Sequence, residues 1–129
     1  SIIGSDGLPH DDHPHPRLWG TFPRVLGHYV REIGLFSLEE GINKMTQKTA
    51  LAFGLKDRGI LRPGAYADLV LFDPETILDR ATFDNPKEPA SGIEWVMVNG
   101  RMVWNHQTHS GQRPGKVLRL QELDPPVMN

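Results

Sequence analysis

The sequence predicts an α+β fold in two parts, helices first and a small β unit after them. Three observations carry this expectation. A helical apolar repeat runs from Phe22 to Ile33. Two short apolar runs, Leu69–Phe72 and Ile93–Val98, have the length of strands. Asn99-Gly100, directly after the second run, is the preferred pair for a two-residue type I′ hairpin turn. The character changes near Gly59, so the parts are residues 1–58 and 59–129.

Taken in order, Ser1-Ile2-Ile3-Gly4-Ser5 reads as the end of a buried strand. Asp6–Gly20 is rich in Pro, His and Asp and lacks an apolar period, so it reads as a loop. Loops that long are usually functional or disordered. Thr21 is placed to cap the first helix, with Pro23 in its first turn. Phe22, Val25, Leu26, Tyr29, Val30 and Ile33 then form one apolar face, and Gly34 ends it. Ser37 and Glu40 have capping-box spacing ahead of a second helix lined by Leu38, Ile42 and Met45. Thr46 caps a short third helix carrying Ala50, Leu51 and Phe53, stopped by Gly54.

The β part follows Pro63-Gly64, a turn signal. Leu69–Phe72 is a strand that Asp73-Pro74 breaks. Residues 74–92 are mostly loop, with a helical turn near Ile77. Ile93–Val98 pairs through the Asn99-Gly100 turn with Arg101–Trp104. Residues 107–115 are loop, Lys116–Leu120 reads as a last short strand, and a frayed tail follows Gln121. A hairpin with one or two further strands is marginal alone, so these strands call for more sheet from elsewhere. The start at Ser1, already next to an apolar run, reads as a cut through a longer protein.

Composition narrows the function classes. The 129 residues suit one domain by size, with 38% apolar and 23% charged residues. A formal net charge of −2 and the lack of a basic stripe argue against nucleic acid, and no basic amphipathic helix points to a membrane surface. No apolar run approaches the roughly 20 residues a spanning helix needs. With no targeting segment visible, a cytoplasmic location is expected. The chain has no Cys, so a metal site would draw on His, Asp or Glu.

Three residues stand out as candidates. Asp6, in Gly4-Ser5-Asp6-Gly7, follows an apolar strand, and catalytic groups project from strand ends in α/β barrels. Its small neighbours would let a substrate or metal approach. An Asx-turn that ends the strand is the competing explanation. Arg17 carries a guanidinium fork suited to a carboxylate, or is simply a surface cation. His15 belongs to a cluster with His10, Asp11, Asp12 and His13, all residue types that zinc accepts. Pro14 and Pro16 oppose a shared metal for His13 and His15, which leaves a solvated loop or one wall of a substrate pocket. His28 reads as an edge residue, and Trp95, Met97, Val103 and Trp104 as core. His106 and His109 receive no role.

Several segments together resemble the N-acyl-D-amino-acid deacylase (D-aminoacylase) family of the amidohydrolase superfamily. They are Gly4-Ser5-Asp6-Gly7, Pro14-His15-Pro16-Arg17, Gly20-Thr21-Phe22-Pro23-Arg24, Tyr29-Val30-Arg31-Glu32, Lys44-Met45-Thr46, Phe53-Gly54-Leu55, Asp57-Arg58-Gly59, Arg62-Pro63-Gly64, Ala67–Pro74, Val98-Asn99-Gly100 and Arg113-Pro114-Gly115. Ala-Asp-Leu-Val and Val-Asn-Gly occur widely among amidohydrolases; the stretch from Pro14 to Arg24 is more particular to the D-aminoacylases. Gln47-Lys48-Thr49 departs from relatives that place a Pro before the helix. The resemblance implies the last strand and helices of a (β/α)8 metal-dependent hydrolase barrel in residues 1–58. Residues 59–129 would then be the C-terminal share of a small β-sandwich.

The implied reaction is hydrolysis of N-acyl-D-amino acids by a zinc enzyme whose metal ligands lie mostly upstream of this chain. Zinc would polarise the carbonyl and acidify a bound water. Asp6 would sit beside the zinc as general base and acid, Arg17 would hold the substrate α-carboxylate, and His15 would line the same pocket. The isolated chain would be inactive without the missing barrel portion. Three alternatives compete: a dihydropyrimidinase- or dihydroorotase-like hydrolase of cyclic amides, a non-catalytic module that self-associates through uncovered strand edges, and a stand-alone metal binder built from His10, Asp12, His13 and His15.

Overall fold

The computed structural model describes residues 1–120. Helix α1 spans Arg17–Arg24 and runs directly into a π-helical segment, Val25–Glu32. Helices α2, Leu38–Met45, and α3, Gln47–Ala52, follow. Four strands then form an antiparallel meander in the order β1-β2-β3-β4: Leu69–Phe72, Ile93–Val98, Arg101–Asn105 and Thr108–His109. Helices thus precede a small antiparallel sheet, in the order the sequence predicted.

The first helix begins one turn earlier than the Thr21 cap implied. Pro16 occupies the N-cap, and its carbonyl accepts from the Gly20 N–H at 2.9 Å. Thr21 instead donates its hydroxyl back to the Arg17 carbonyl at 2.8 Å, the usual bond of a threonine inside a helix. Pro23 thus falls in the helix interior, where it has no N–H to give. Beyond it the chain widens to the π form, with Ile33 donating to the His28 carbonyl at 2.9 Å. The wider turn rotates the apolar stripe away from its expected line. Val25 and Leu26 are buried, but Tyr29 and Ile33 remain exposed. Gly34, at φ +68°, ends the segment as its position suggested.

The capping box at α2 forms in full: the Glu40 N–H donates to Ser37 Oγ at 3.1 Å, and the Ser37 N–H to Glu40 Oε2 at 3.2 Å. Thr46 precedes α3 but does not cap it, because its hydroxyl donates to the Ile42 carbonyl at 2.8 Å. In α3, Ala50 is buried, whereas Leu51 and Phe53 face outward.

In the β part, Asn99 and Gly100 adopt φ of +48° and +76°, the left-handed pair of a type I′ turn. Val98 pairs with Arg101 across it. A second tight turn, with His106 at φ +45° and Gln107 at +68°, adds β4, which the loop reading of residues 107–115 overlooked. His-Gln carries no turn signature, so composition gave no warning. Two expected strands do not form. Among the described residues, Ser1–Ser5 and Lys116–Leu120 have no strand partner, and a strand exists only where a neighbour accepts its hydrogen bonds. The tail from 121 lies outside the described residues.

Four segments of the sequence meet at one polar network. Arg58 pairs with Asp68, donates to Asn99 Oδ1 at 2.9 Å, and lies over the Tyr66 ring at 4.0 Å. The Asn99 N–H donates to Asp68 Oδ1 at 2.9 Å, and Asn99 Nδ2 to the Pro114 carbonyl at 2.8 Å. The segments Asp57-Arg58-Gly59, Ala67-Asp68, Val98-Asn99-Gly100 and Arg113-Pro114-Gly115 are thus joined as a structural knot around the hairpin turn.

The buried core is small: Val25, Leu26, Ala50, Ile77 and Ala81. Most of it lies where α1 and the π-helical segment pack on the loop after β1; Ala50 instead lies against Gly59. The sheet adds little, since Val70 and Leu71 of β1 are about half exposed. Arg31 fastens the same contact, donating from Nη1 to the carbonyls of Pro74 at 3.0 Å and Ile77 at 2.8 Å. Gly27 permits it, because a Cβ there would lie 2.6 Å from the Ile77 carbonyl oxygen. Helix propensity alone favours Ala over Gly by about 1 kcal/mol. The clash is with backbone and outweighs that gain. Gly27→Ala is therefore expected to destabilise the protein by roughly 1–3 kcal/mol, read as a lower thermal midpoint.

Candidate functional site

The candidate residues Asp6, His15 and Arg17 come together at the start of α1. Asp6 takes φ +50°, a left-handed conformation that Asp tolerates better than most residues. The turn bond at this bend comes from Ser5, whose Oγ accepts from the Gly7 N–H at 3.2 Å. The Asp6 carboxylate points across the loop instead and meets Arg17 Nη2 at 3.0 Å. The small size of Gly7 serves packing rather than access: a Cβ there would stand 3.0 Å from Leu18 Cα.

On magnitude alone this ion pair adds little to stability. Asp6 is 82% and Arg17 39% exposed, and exposed pairs contribute about 0–1 kcal/mol. Holding a non-glycine residue in the left-handed region costs about 1–3 kcal/mol, as much as the pair returns or more. Arg17 also keeps a buried Nε without an acceptor among the described residues. Structural arginines usually have their buried nitrogens satisfied; among the described residues, Nε of Arg17 is not.

His15 sits next in line. Its Nδ1 accepts from the Arg17 N–H at 3.0 Å, which requires the proton on Nε2. The ring meets Phe83 edge-on, with centroids 5.0 Å apart. His13 uses Nε2 on the Phe83 carbonyl at 2.7 Å. The two imidazoles thus aim their nitrogens at different groups, the Phe83 carbonyl and the Arg17 N–H, and Pro14 between them is buried. His10, Asp11 and Asp12 lie exposed. Among the described residues, no group of three or more His, Cys, Asp or Glu side chains could hold a metal. The stand-alone metal binder has no structural counterpart there.

Other titratable groups lie apart from this cluster. His28, partly buried at the helix edge, bonds Glu32 through Nδ1 at 2.7 Å. That hydrogen bond, chiefly, holds the Glu32 carboxyl below its ordinary range; desolvation opposes it, and the charges of His28, Arg31 and Arg24 assist. His106 faces Glu94 at 3.4 Å, and His109 accepts from the Gly111 N–H at 2.8 Å. Phe83 is the participant that the sequence did not single out. It lies in a Pro- and Asp-rich loop 66 or more residues downstream of the cluster it touches, where nothing local marks it.

Comparison with known proteins identifies the family. Residues 1–104 match the amidohydrolase family. The D-aminoacylase of Alcaligenes xylosoxydans xylosoxydans is 61% identical over 118 residues, covering 92% of this chain and 24% of that protein. A crystal structure of D-aminoacylase, described as defining a novel subset of amidohydrolases, superposes with a TM-score of 0.84 at 63% identity, over 86% of this chain and 23% of that one. The N-acyl-D-glutamate deacylase of Bordetella bronchiseptica, solved with zinc and a phosphonate mimic of the tetrahedral intermediate, superposes at 0.85 with 54% identity, over 92% and 25% respectively. This chain thus spans about a quarter of the length of the curated relatives it matches. With its motifs, its fold and its family match in accord, the chain belongs to the amidohydrolase family.

Proposed function

We propose that this chain supplies the general base and the carboxylate-binding group of a hydrolase that cleaves N-acyl-D-amino acids to a carboxylic acid and a D-amino acid. The observation that carries this reading is the Asp6–Arg17 pair: an exposed carboxylate in a left-handed bend, 3.0 Å from a guanidinium that lacks a full set of partners. Asp6 accepts a proton from the attacking water and returns it to the leaving nitrogen, so one carboxylate serves both halves of the reaction. Arg17 holds the substrate α-carboxylate on its planar fork. With the α-carboxylate and the acyl carbonyl both fixed, only one enantiomer places its amide against Asp6. His15 lines the same pocket and keeps the Arg17 backbone in place.

The described residues do not assemble a metal site. The zinc of this reading belongs to ligands outside the chain, as do most of the pocket walls. Residues 1–58 are read as the end of the hydrolase barrel and residues 59–129 as a share of the β-sandwich. The open sheet and small core support a missing barrel portion as the natural partner, with self-association of the strand edges as the substitute when it is absent. None of the described helices is long and apolar enough to cross a membrane; a cytoplasmic location remains part of the proposal.

The test is release of a free D-amino acid from its N-acetyl derivative, against the L enantiomer, with zinc present. This chain is compared with a full-length protein in which it replaces the matching quarter of D-aminoacylase. Turnover of the D substrate by the full-length protein alone is the expected result. Equal turnover of both enantiomers, or none, would sink the deacylase reading.

A further inference from the structure

The loop that carries Asp6, His15 and Arg17 is held from a distant part of the chain. The segment after β1 returns to the helices and lies along α1: Arg24 pairs with Asp79 at 3.3 Å, and Gly20 is buried against Asp79 and Ala81. Phe83 stands at the end of this contact. Its carbonyl accepts from His13 Nε2 at 2.7 Å, and its ring meets the His15 ring at 5.0 Å. His15 in turn accepts the Arg17 N–H at 3.0 Å, and Arg17 reaches Asp6 at 3.0 Å. A continuous series of contacts leads from Phe83 through the His15 ring to the candidate pair, and His13 ties the same loop to the Phe83 backbone.

We infer that Phe83 is a positioning residue: with His13 it forms a clasp that sets His15, and through His15 the backbone of Arg17. Three features argue for this over incidental packing. Phe83 is 71% exposed, so its ring gains little from burial and does not serve the core. The clasp grips the loop on both sides of buried Pro14, once through the Phe83 backbone and once through its ring. The loop has no regular secondary structure of its own to define its course before Arg17. A guanidinium that must meet a carboxylate in a fixed plane is sensitive to displacement, and about 1 Å of misplacement can cost two orders of magnitude in rate.

The inference rests on reading Arg17 as the carboxylate grip, and the experiment separates the two. Phe83→Ala and Phe83→Tyr are made in the full-length protein, and hydrogen exchange of the peptides covering residues 6–20 is followed beside steady-state kinetics. Phe83→Ala is expected to speed exchange in that segment several-fold and to raise KM about ten-fold, with kcat within about two-fold. Phe83→Tyr keeps the ring and is expected to match the unsubstituted protein in both. His13→Ala should repeat the exchange effect, and His13→Gln, which retains a donor for the Phe83 carbonyl, should reverse part of it. Unchanged exchange in Phe83→Ala, or a Phe83→Tyr variant as damaged as Phe83→Ala, overturns the clasp. Faster exchange with KM unmoved overturns the positioning role. If the unsubstituted full-length protein hydrolyses no N-acyl-D-amino acid, the deacylase reading fails, and the exchange arm still decides the clasp.

Discussion

Asp6→Asn in the full-length protein is expected to lower kcat by about a thousand-fold or more, the scale of losing a general acid–base group. Asn is the informative choice. It tolerates the left-handed φ of +50° that Asp6 adopts. Its side-chain oxygen can still accept from Arg17 Nη2, so the local bend should persist. What it loses is the ability to take and return a proton. Zinc content, measured on the same preparation, should stay near that of the unsubstituted protein, because in this reading Asp6 acts as the base and the zinc ligands lie outside the chain. Turnover within a few-fold of normal would refute the base assignment. Loss of zinc together with activity would instead make Asp6 a ligand.

Arg17→Ala should act on binding. The expected result is a KM raised about a hundred-fold, in the range for a charge-assisted bidentate contact, about 3 kcal/mol, with a smaller fall in kcat. Discrimination between D and L substrates should narrow, since the α-carboxylate is then no longer fixed. Arg17→Lys retains the charge but not the planar fork, and should restore only part of the affinity. Because Arg17 also faces Asp6, some loss of kcat is expected when the carboxylate loses its partner. A lower thermal midpoint with KM unchanged would show that Arg17 is structural. The exposure of the pair argues against that outcome.

The two predictions differ in how far the residues could be read in advance. Asp6 and Arg17 lie 11 positions apart, in a loop without periodicity. Their chemistry was legible from residue type and neighbours, but their meeting was not. It depends on the left-handed bend at Asp6 and on a helix that starts at Arg17, a turn before the Thr21 cap. His15 was legible as part of a cluster of metal-capable residues. The structure gives its ring a different task, as acceptor for the Arg17 N–H.

Local rules determined much of this protein. The capping box at Ser37, the stops at Gly34 and Gly54 and the Asn99-Gly100 turn all depend on interactions within a few residues, so the sequence alone sufficed for them; the two main strands were legible as apolar runs, but Leu69–Phe72 is a strand only because Ile93–Val98 pairs with it. The tertiary structure decided what depends on distant partners. The π-helical segment moved Tyr29 and Ile33 off the buried stripe, and Ser1–Ser5 found no strand to pair with. Arg58, Asp68, Asn99 and Pro114 converged on one network, and Phe83 reached back to the histidines. Periodicity and capping report the backbone's own preferences. Which side chains meet across 10 to 70 residues is set by how whole segments pack, and no local pattern encodes that.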